Sequence, residues 1–150
     1  MSEHLSIGER ISNRFFAIPA VAQWWARATS GRTQELVDLS SGIPFAHLLK
    51  PLAECKATLV TTSGVHLRHQ TPFDMQNSDG DATYREIPAE AVDNDIIITH
   101  KYYDHTDADA DINVVFPLPH FQELAATGVI GGLASRHFGF MGHIEAEQVQ

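Results

Sequence analysis

The segment Ile96-Ile97-Ile98-Thr99 runs directly into His100-Lys101-Tyr102-Tyr103-Asp104-His105-Thr106-Asp107, with Asp109, Asp111 and Asn113 following. Four consecutive β-branched residues predict a fully buried strand, because branching at Cβ favours extended backbone and an unbroken apolar run suits a strand covered on both faces. Two imidazoles, a pair of phenols and several carboxylates leave its end, which is where open α/β sheets place their chemistry. The stretch therefore predicts a catalytic or binding site on an α/β scaffold.

Working outward, residues 56–62 form a second β-rich apolar run that stops at Ser63-Gly64, the pattern of a buried first strand and a tight turn. Val65 to His69 then lie just past its end. Residues 70–95 are rich in Asp, Asn, Gly and Pro, with Asp79-Gly80-Asp81 as the clearest turn and Tyr84 to Pro88 as a short extended piece. Leu118, Phe121, Leu124 and Ala125 share one helical face, Pro117 and Pro119 stand at its start and Gly128 beyond its end, so residues 118–126 predict a short helix. Residues 129–134 read as a third strand in which Gly131-Gly132 marks close backbone packing, followed by a loop that holds His137. Strand, loop, strand, helix, strand predicts an α/β fold with a small, mostly parallel sheet, a Rossmann-like or flavodoxin-like half, over residues 41–150. Its post-strand loops would carry His66, the His100 to His105 cluster and His137 to one edge.

Ahead of this, residues 5–29 carry Ile7, Ile11 and Phe15 at four-residue spacing, then Val21, Trp24, Trp25 and Ala28 after Pro19. Two short helices, or one kinked at the proline, are expected in an N-terminal helical arm over residues 1–40. Phe15, Phe16, Trp24 and Trp25 read as packing groups, and so apolar an arm predicts a homo-oligomer. Ser30-Gly31, the Ser40 to Pro44 stretch and Lys50-Pro51 are turn signals, so residues 30–56 read as a wrapping segment.

Composition narrows the function. Of the 150 residues 43% are apolar and 19% charged, a globular balance, and no apolar stretch approaches the roughly 20 residues that span a bilayer. The start Met1-Ser2-Glu3-His4 lacks secretory features, so a cytoplasmic location is expected. A net charge of −9, with ten basic residues scattered along the chain, argues against a nucleic-acid partner. Cys55 is the one cysteine, has no disulfide partner within the chain and reads as structural. No phosphate-binding glycine loop is present, so no nucleotide cofactor is expected, and the nucleophile elbow Gly-x-Ser-x-Gly is absent. Asp107, Asp109, Asp111 and Asn113 alternate like a calcium loop, but Ile112 stands where the turn needs glycine and Leu118 where a bidentate glutamate belongs. A polar turn fits better. His100, Asp104 and His105 form a candidate set for a divalent metal, zinc or iron, with His66 or His137 completing the shell. The competing reading has His100 capping the strand and the other two in a solvated loop.

The ordered set Val60 to His66, Arg85-Glu86-Ile87-Pro88, Thr99-His100 with Tyr103-Asp104 and Asp107, Asp111-Ile112-Asn113 with Phe116-Pro117, Glu123-Leu124 with Gly128, and His137 with Phe140-Met141-Gly142 resembles the glycine/sarcosine/betaine reductase selenoprotein B family. That group includes the selenocysteine subunit of D-proline reductase. The resemblance covers roughly residues 44–144, the family's N-terminal half. It implies an α/β component of a dithiol-dependent reductase that cleaves a C–N bond in a small amino acid or amine. In the family a catalytic selenocysteine follows the segment resembling residues 138–144. No equivalent is found here, so a thiol- or selenol-bearing protein partner is expected to supply it. On the resemblance, His66, His100, Tyr103, Asp104 and His137 are candidate catalytic residues that handle protons, and Arg85, Glu86, Asp107, Asp111 and Asn113 candidate substrate ligands. A structural hydrogen-bond network is an equal reading for Arg85, Glu86, Asp111 and Asn113. Two other functions stay open, a stand-alone metalloenzyme of amine or amino-acid metabolism and a non-catalytic small-molecule-binding module.

Overall fold

The computed structural model of the chain describes Ile11, Arg14, Phe15, residues 17–36 and residues 46–144, with residues 29–36 described by their backbone. Ile7, Phe16 and the turn signals at residues 40–44 lie outside these. Contacts divide the chain into two units, one of residues 1–47 with 101–104, the other of residues 48–100 with 105–150.

In the first unit, Ile11, Arg14 and Phe15 have helical backbone and helix α1 (Pro19–Leu36) begins anew at the proline. Proline suits this first helical position because its missing N–H is one that the helix would leave unbonded. Ile18 closes the first turn, its carbonyl accepting from Val21 and Ala22 at 2.9 and 3.1 Å. The helix continues through Ser30-Gly31, a turn signal by sequence. A single glycine costs a helix about 1 kcal/mol, which the helix-forming residues around it offset. Trp25 stacks on Tyr102 with the rings 5° from parallel and 6.3 Å apart, so this tryptophan packs as expected, whereas Trp24 is 65% exposed.

The second unit is an α/β fold of small sheets. Strands β1 (Lys56–Ala57), β2 (Val60–Thr61), β3 (Val65–Leu67), β4 (Tyr84–Pro88), β5 (Ile96–Ile98), β6 (Gly132–Leu133) and β7 (Arg136–Phe140) combine with helices α2 (Thr106–Ala110) and α3 (Leu118–Ala126). Parallel pairs join β1 to β6 and β2 to β7, and antiparallel pairs join β3 to β5 and β4 to β7. The parallel element of the expectation is present. It is confined to two of three small sheets, which stand in place of one Rossmann-like layer.

Helix α3 occupies the predicted residues and ends for the predicted reason. Gly128 adopts φ 75°, its N–H bonds the Ala125 carbonyl at 3.2 Å and the Val129 N–H bonds Leu124 at 2.9 Å, the two bonds of a Schellman cap. Because Val129 and Ile130 are drawn into that cap, the expected third strand shrinks to Gly132–Leu133. Gly131 still meets the expectation of close packing, since a Cβ there would press on the backbone of residues 53–55. The expected first strand is also divided, into β1 and β2. It is an edge with one neighbour, and Val60 is 61% exposed, so the buried strand expected there is corrected. Across the break, Thr58 Oγ1 donates to the Arg136 carbonyl at 2.8 Å and the Leu59 N–H donates to His137 Nδ1 at 2.9 Å, so side chains continue the ladder.

The main departure is β7, expected as a loop and found as the centre of the β2-β7-β4 sheet. Its inward positions are His137 and Gly139 and its outward positions Arg136, Phe138 and Phe140. The usual apolar-in alternation is reversed, which hid the strand. His66 and His137 therefore lie on strands, and only His100 follows a strand end. Gly139 is required by contact: a Cβ would collide with the Val65 carbonyl oxygen where β3 crosses the sheet. The adjacent Gly64 N–H bonds the Phe140 carbonyl at 2.8 Å. Val65, Leu67, Ile87, Ile96, Ile112, Phe116 and Leu118 make the core that this crossing closes. Gly139→Ala is expected to destabilise the chain by about 3 kcal/mol or more, since the obstacle is backbone that cannot rotate away; urea unfolding followed by circular dichroism measures it.

Candidate functional site

Four buried histidines mark the second unit: His66 and His137 at 0% exposure, His105 at 2% and His100 at 7%. An imidazole has two polar nitrogens, so each burial demands local partners.

His66 stands on β3 opposite Ile97. Its Nδ1 lies 2.9 Å from the Leu67 carbonyl and its Nε2 2.8 Å from Thr99 Oγ1. A carbonyl only accepts, so the proton belongs on Nδ1 and Nε2 accepts from the threonine hydroxyl. Phe73 meets the ring edge-on at 5.9 Å, and the Arg85 guanidinium lies 4.4 Å from the centre of the Phe73 ring.

His100 leaves the end of β5 and bonds the Met141 backbone. Burial holds its pKa down at about 4 from an ordinary 6.5; the Met141 bond opposes this, and nearby His105 and His143 reinforce it. His105 stands at the head of α2 with Nδ1 2.7 Å from Asp109 Oδ2. That carboxylate holds a proton on Nδ1 and offsets charge when the ring takes a second one. His143 Nε2 lies 3.1 Å from the Ser78 carbonyl. His105 and His143 thus each act electrostatically on His100, and the neighbouring Thr99 bonds His66.

His137 faces the other part of the core, edge-on to Phe116 at 6.1 Å. Its Nδ1 accepts from Leu59, which places the proton on Nε2, a buried atom with no hydrogen-bond partner. Burial lowers its pKa as well.

The remaining candidates are dispersed. All five N–H groups of Arg85 are engaged, by the carbonyls of Thr71, Pro72 and Tyr84, by Thr83 Oγ1 and by Asp81 Oδ2, so it clamps the 71–84 loop. Glu86 pairs with Arg136 at 3.0 Å. Asp111 caps the turn Ile112–Val114 by accepting from the Asn113 backbone and side chain at 3.0 and 2.8 Å, bonds that lower its pKa. Asp107 is an exposed residue of α2. Tyr103 and Asp104 belong to the first unit. Cys55 Sγ rests 3.4 Å from the Pro51 carbonyl.

Among the described residues no group of three or more His, Cys, Asp or Glu side chains is placed to hold a metal ion. His105 Nδ1 is engaged by Asp109 and His100 by the Met141 backbone, and Asp104 belongs to the first unit. Asp109, Thr99 and His143 carry no site role by sequence. Only Asp109 had a readable signal, its i, i+4 spacing from His105 across a helical turn.

The chain is 39% identical over 93 residues to D-proline reductase subunit gamma of Acetoanaerobium sticklandii. The match takes in 62% of this chain and 37% of that protein, so the chain spans well under half the length of the relative. The similarity supports a relationship to the proline and glycine reductase proteins. No protein-family model matches the chain, and no solved structure does. Among the described residues no helix is long and apolar enough to cross a membrane.

The buried imidazoles make stability depend on acid. Between pH 6.5 and about 4 an unfolded chain takes up a proton at His100 that the folded chain refuses, so stability is lost as pH falls through this window. The difference amounts to about 3 kcal/mol for His100, and His137 acts in the same direction. Urea midpoints measured from pH 7.5 down to 4.5 are expected to fall, with a shallower slope in His100→Gln; an equal slope would assign the effect elsewhere.

Proposed function

We propose that the chain is a selenoprotein B-like component of a reductase system, binding a small amino acid or amine and moving protons while a partner supplies the thiol or selenol. The observation that carries this reading is the 39% identity over 93 residues to a D-proline reductase subunit. Reductive cleavage of a C–N bond consumes two electrons and two protons and releases an amine, so the reaction needs a reductant and a proton donor. Cys55 Sγ is held against backbone carbonyls, and the two-electron dithiol couple is assigned in this reading to a thiol-bearing partner.

The proton donor is assigned to His105. With its pKa near 4, His100 is protonated in about one molecule in a thousand at pH 7, too few for it to act as the acid. It serves instead as a neutral acceptor for a substrate N–H. His105, backed by the Asp109 carboxylate at 2.7 Å, has the arrangement of an imidazole prepared to give up a proton and recover it. The Leu67 carbonyl keeps His66 in the tautomer that accepts from Thr99 on Nε2.

Thermal unfolding with D-proline, glycine, sarcosine or betaine tests binding, and at least one is expected to raise Tm in proportion to the logarithm of its concentration. In a system reconstituted with the thiol-bearing partner, Asp109→Asn is expected to lower kcat by about 100-fold while the ligand-induced Tm shift remains. No ligand stabilisation by any of the four compounds, together with no C–N cleavage in the reconstituted system, would reject the reading.

A further inference from the structure

Arg85 stands on β4 opposite Gly139 of β7, so strand alternation sets it on the inner face of the sheet with Ile87 and His137. Its side chain is 14% exposed, and that of Asp81, 3.4 Å away, 10%. An ion pair so nearly closed to water gains little net stability, since desolvation of both groups offsets their attraction. What it contributes is geometry. The guanidinium reaches the Thr71 and Pro72 carbonyls where the loop of residues 71–84 begins, and Asp81, Thr83 Oγ1 and the Tyr84 carbonyl where it ends, so one planar group closes the loop. Gln70 adds a tie just before it, accepting from the Leu67 N–H of β3 and donating to the Glu86 carbonyl of β4, both at 2.8 Å.

The closed loop meets the histidines at two places. Near its root, Phe73 is 3% exposed, with the guanidinium over its face and the His66 ring edge-on to it. At its tip, Gly80 adopts φ 84° and pairs with Ile144 in an antiparallel bridge, and a Cβ there would collide with the His143 carbonyl oxygen. Beside it, the Ser78 carbonyl accepts from His143 Nε2. Both lines of contact lead to His100. His66 bonds Thr99, the residue before it, and His143 acts on it electrostatically.

We propose that Arg85 is a positioning residue: by fastening both ends of the 71–84 loop it fixes His66 through Phe73 and His143 through the loop tip, the two groups that address His100. Arginine is needed because a planar fork of five donors reaches five acceptors at once, whereas lysine keeps the charge but brings three donors to a single point. The positioning stands on these contacts, and its bearing on proton transfer rests on the function proposed above.

Nitrogen-15 spectra of the full chain with labelled histidine read the imidazoles one by one. In Arg85→Lys the His66 and His143 resonances are expected to move or split, while His137, packed on Phe116, keeps its wild-type position. In the reconstituted system the same variant is expected to lower kcat about tenfold with KM within about twofold, because a displaced proton-handling group costs rate and not substrate contact. Should Arg85→Lys fail to fold, Asp81→Asn, which keeps the shape and withdraws the charge, is expected to move the same two resonances and decides the matter. His66 or His143 unmoved in the folded variant overturns the proposal, as does an equal movement of His137, which would make Arg85 a general stabiliser. A raised KM with unmoved resonances also overturns it and makes Arg85 a substrate ligand. Unchanged kcat with both resonances moved overturns its bearing on the reaction. Absence of C–N cleavage by the wild type counts against the functional reading alone, and the spectra then decide the positioning.

Discussion

The backbone of β3 crosses the inner face of β7 with nothing between the Val65 carbonyl and the Cα of Gly139. Close-packed interiors leave no room to absorb a methyl group between two main chains, so this contact sets how near the β3-β5 hairpin lies to the three-stranded sheet. Much else follows from it. The Gly64 amide reaches the Phe140 carbonyl, the Thr99 amide reaches Gly64, and the end of β5 is drawn to the segment beyond β7 where Met141 engages His100. A fold that brings two main chains together in this way fixes the positions of its polar side chains closely, because few of them can move without breaking a backbone bond.

Burying imidazoles in such a core has consequences for chemistry. A neutral histidine can be accommodated when one nitrogen donates and the other accepts, and His66 meets that condition between Leu67 and Thr99. His100, bonded to the Met141 backbone, loses basicity through burial, with two further histidines nearby that would add positive charge if protonated. His105 differs because Asp109 brings a carboxylate to it. Similar residues in one region are thus given different electrostatic surroundings by their neighbours.

The polar loop of residues 71–84 shows how the same residue types serve structure. Arg85 directs all five donors to that loop and lies over Phe73, which in turn braces His66. Its influence on the histidines is therefore one of position. Asp111 and Asn113 close a turn in a comparable manner, through bonds to one another.

Local signals in the sequence were sufficient for some elements. Proline at the start and glycine after the end located α3, the proline at position 19 located the start of α1, and three consecutive isoleucines located β5, because each acts through covalent geometry or backbone preference within a few residues. The histidine-rich composition of the segments at 66, 100–105 and 137 likewise drew attention to residues that prove buried. Tertiary structure alone decided that residues 136–140 form a central strand, that the run at 56–61 is divided, and that His100, His105 and His143 interact while Asp104 and Tyr103 group elsewhere. The reason lies in what covers each side chain: alternation predicts a strand only when the core takes its apolar face, and here a backbone crossing requires glycine and histidine on the inside and leaves the phenylalanines outside, an outcome set by residues more than 70 positions away in sequence.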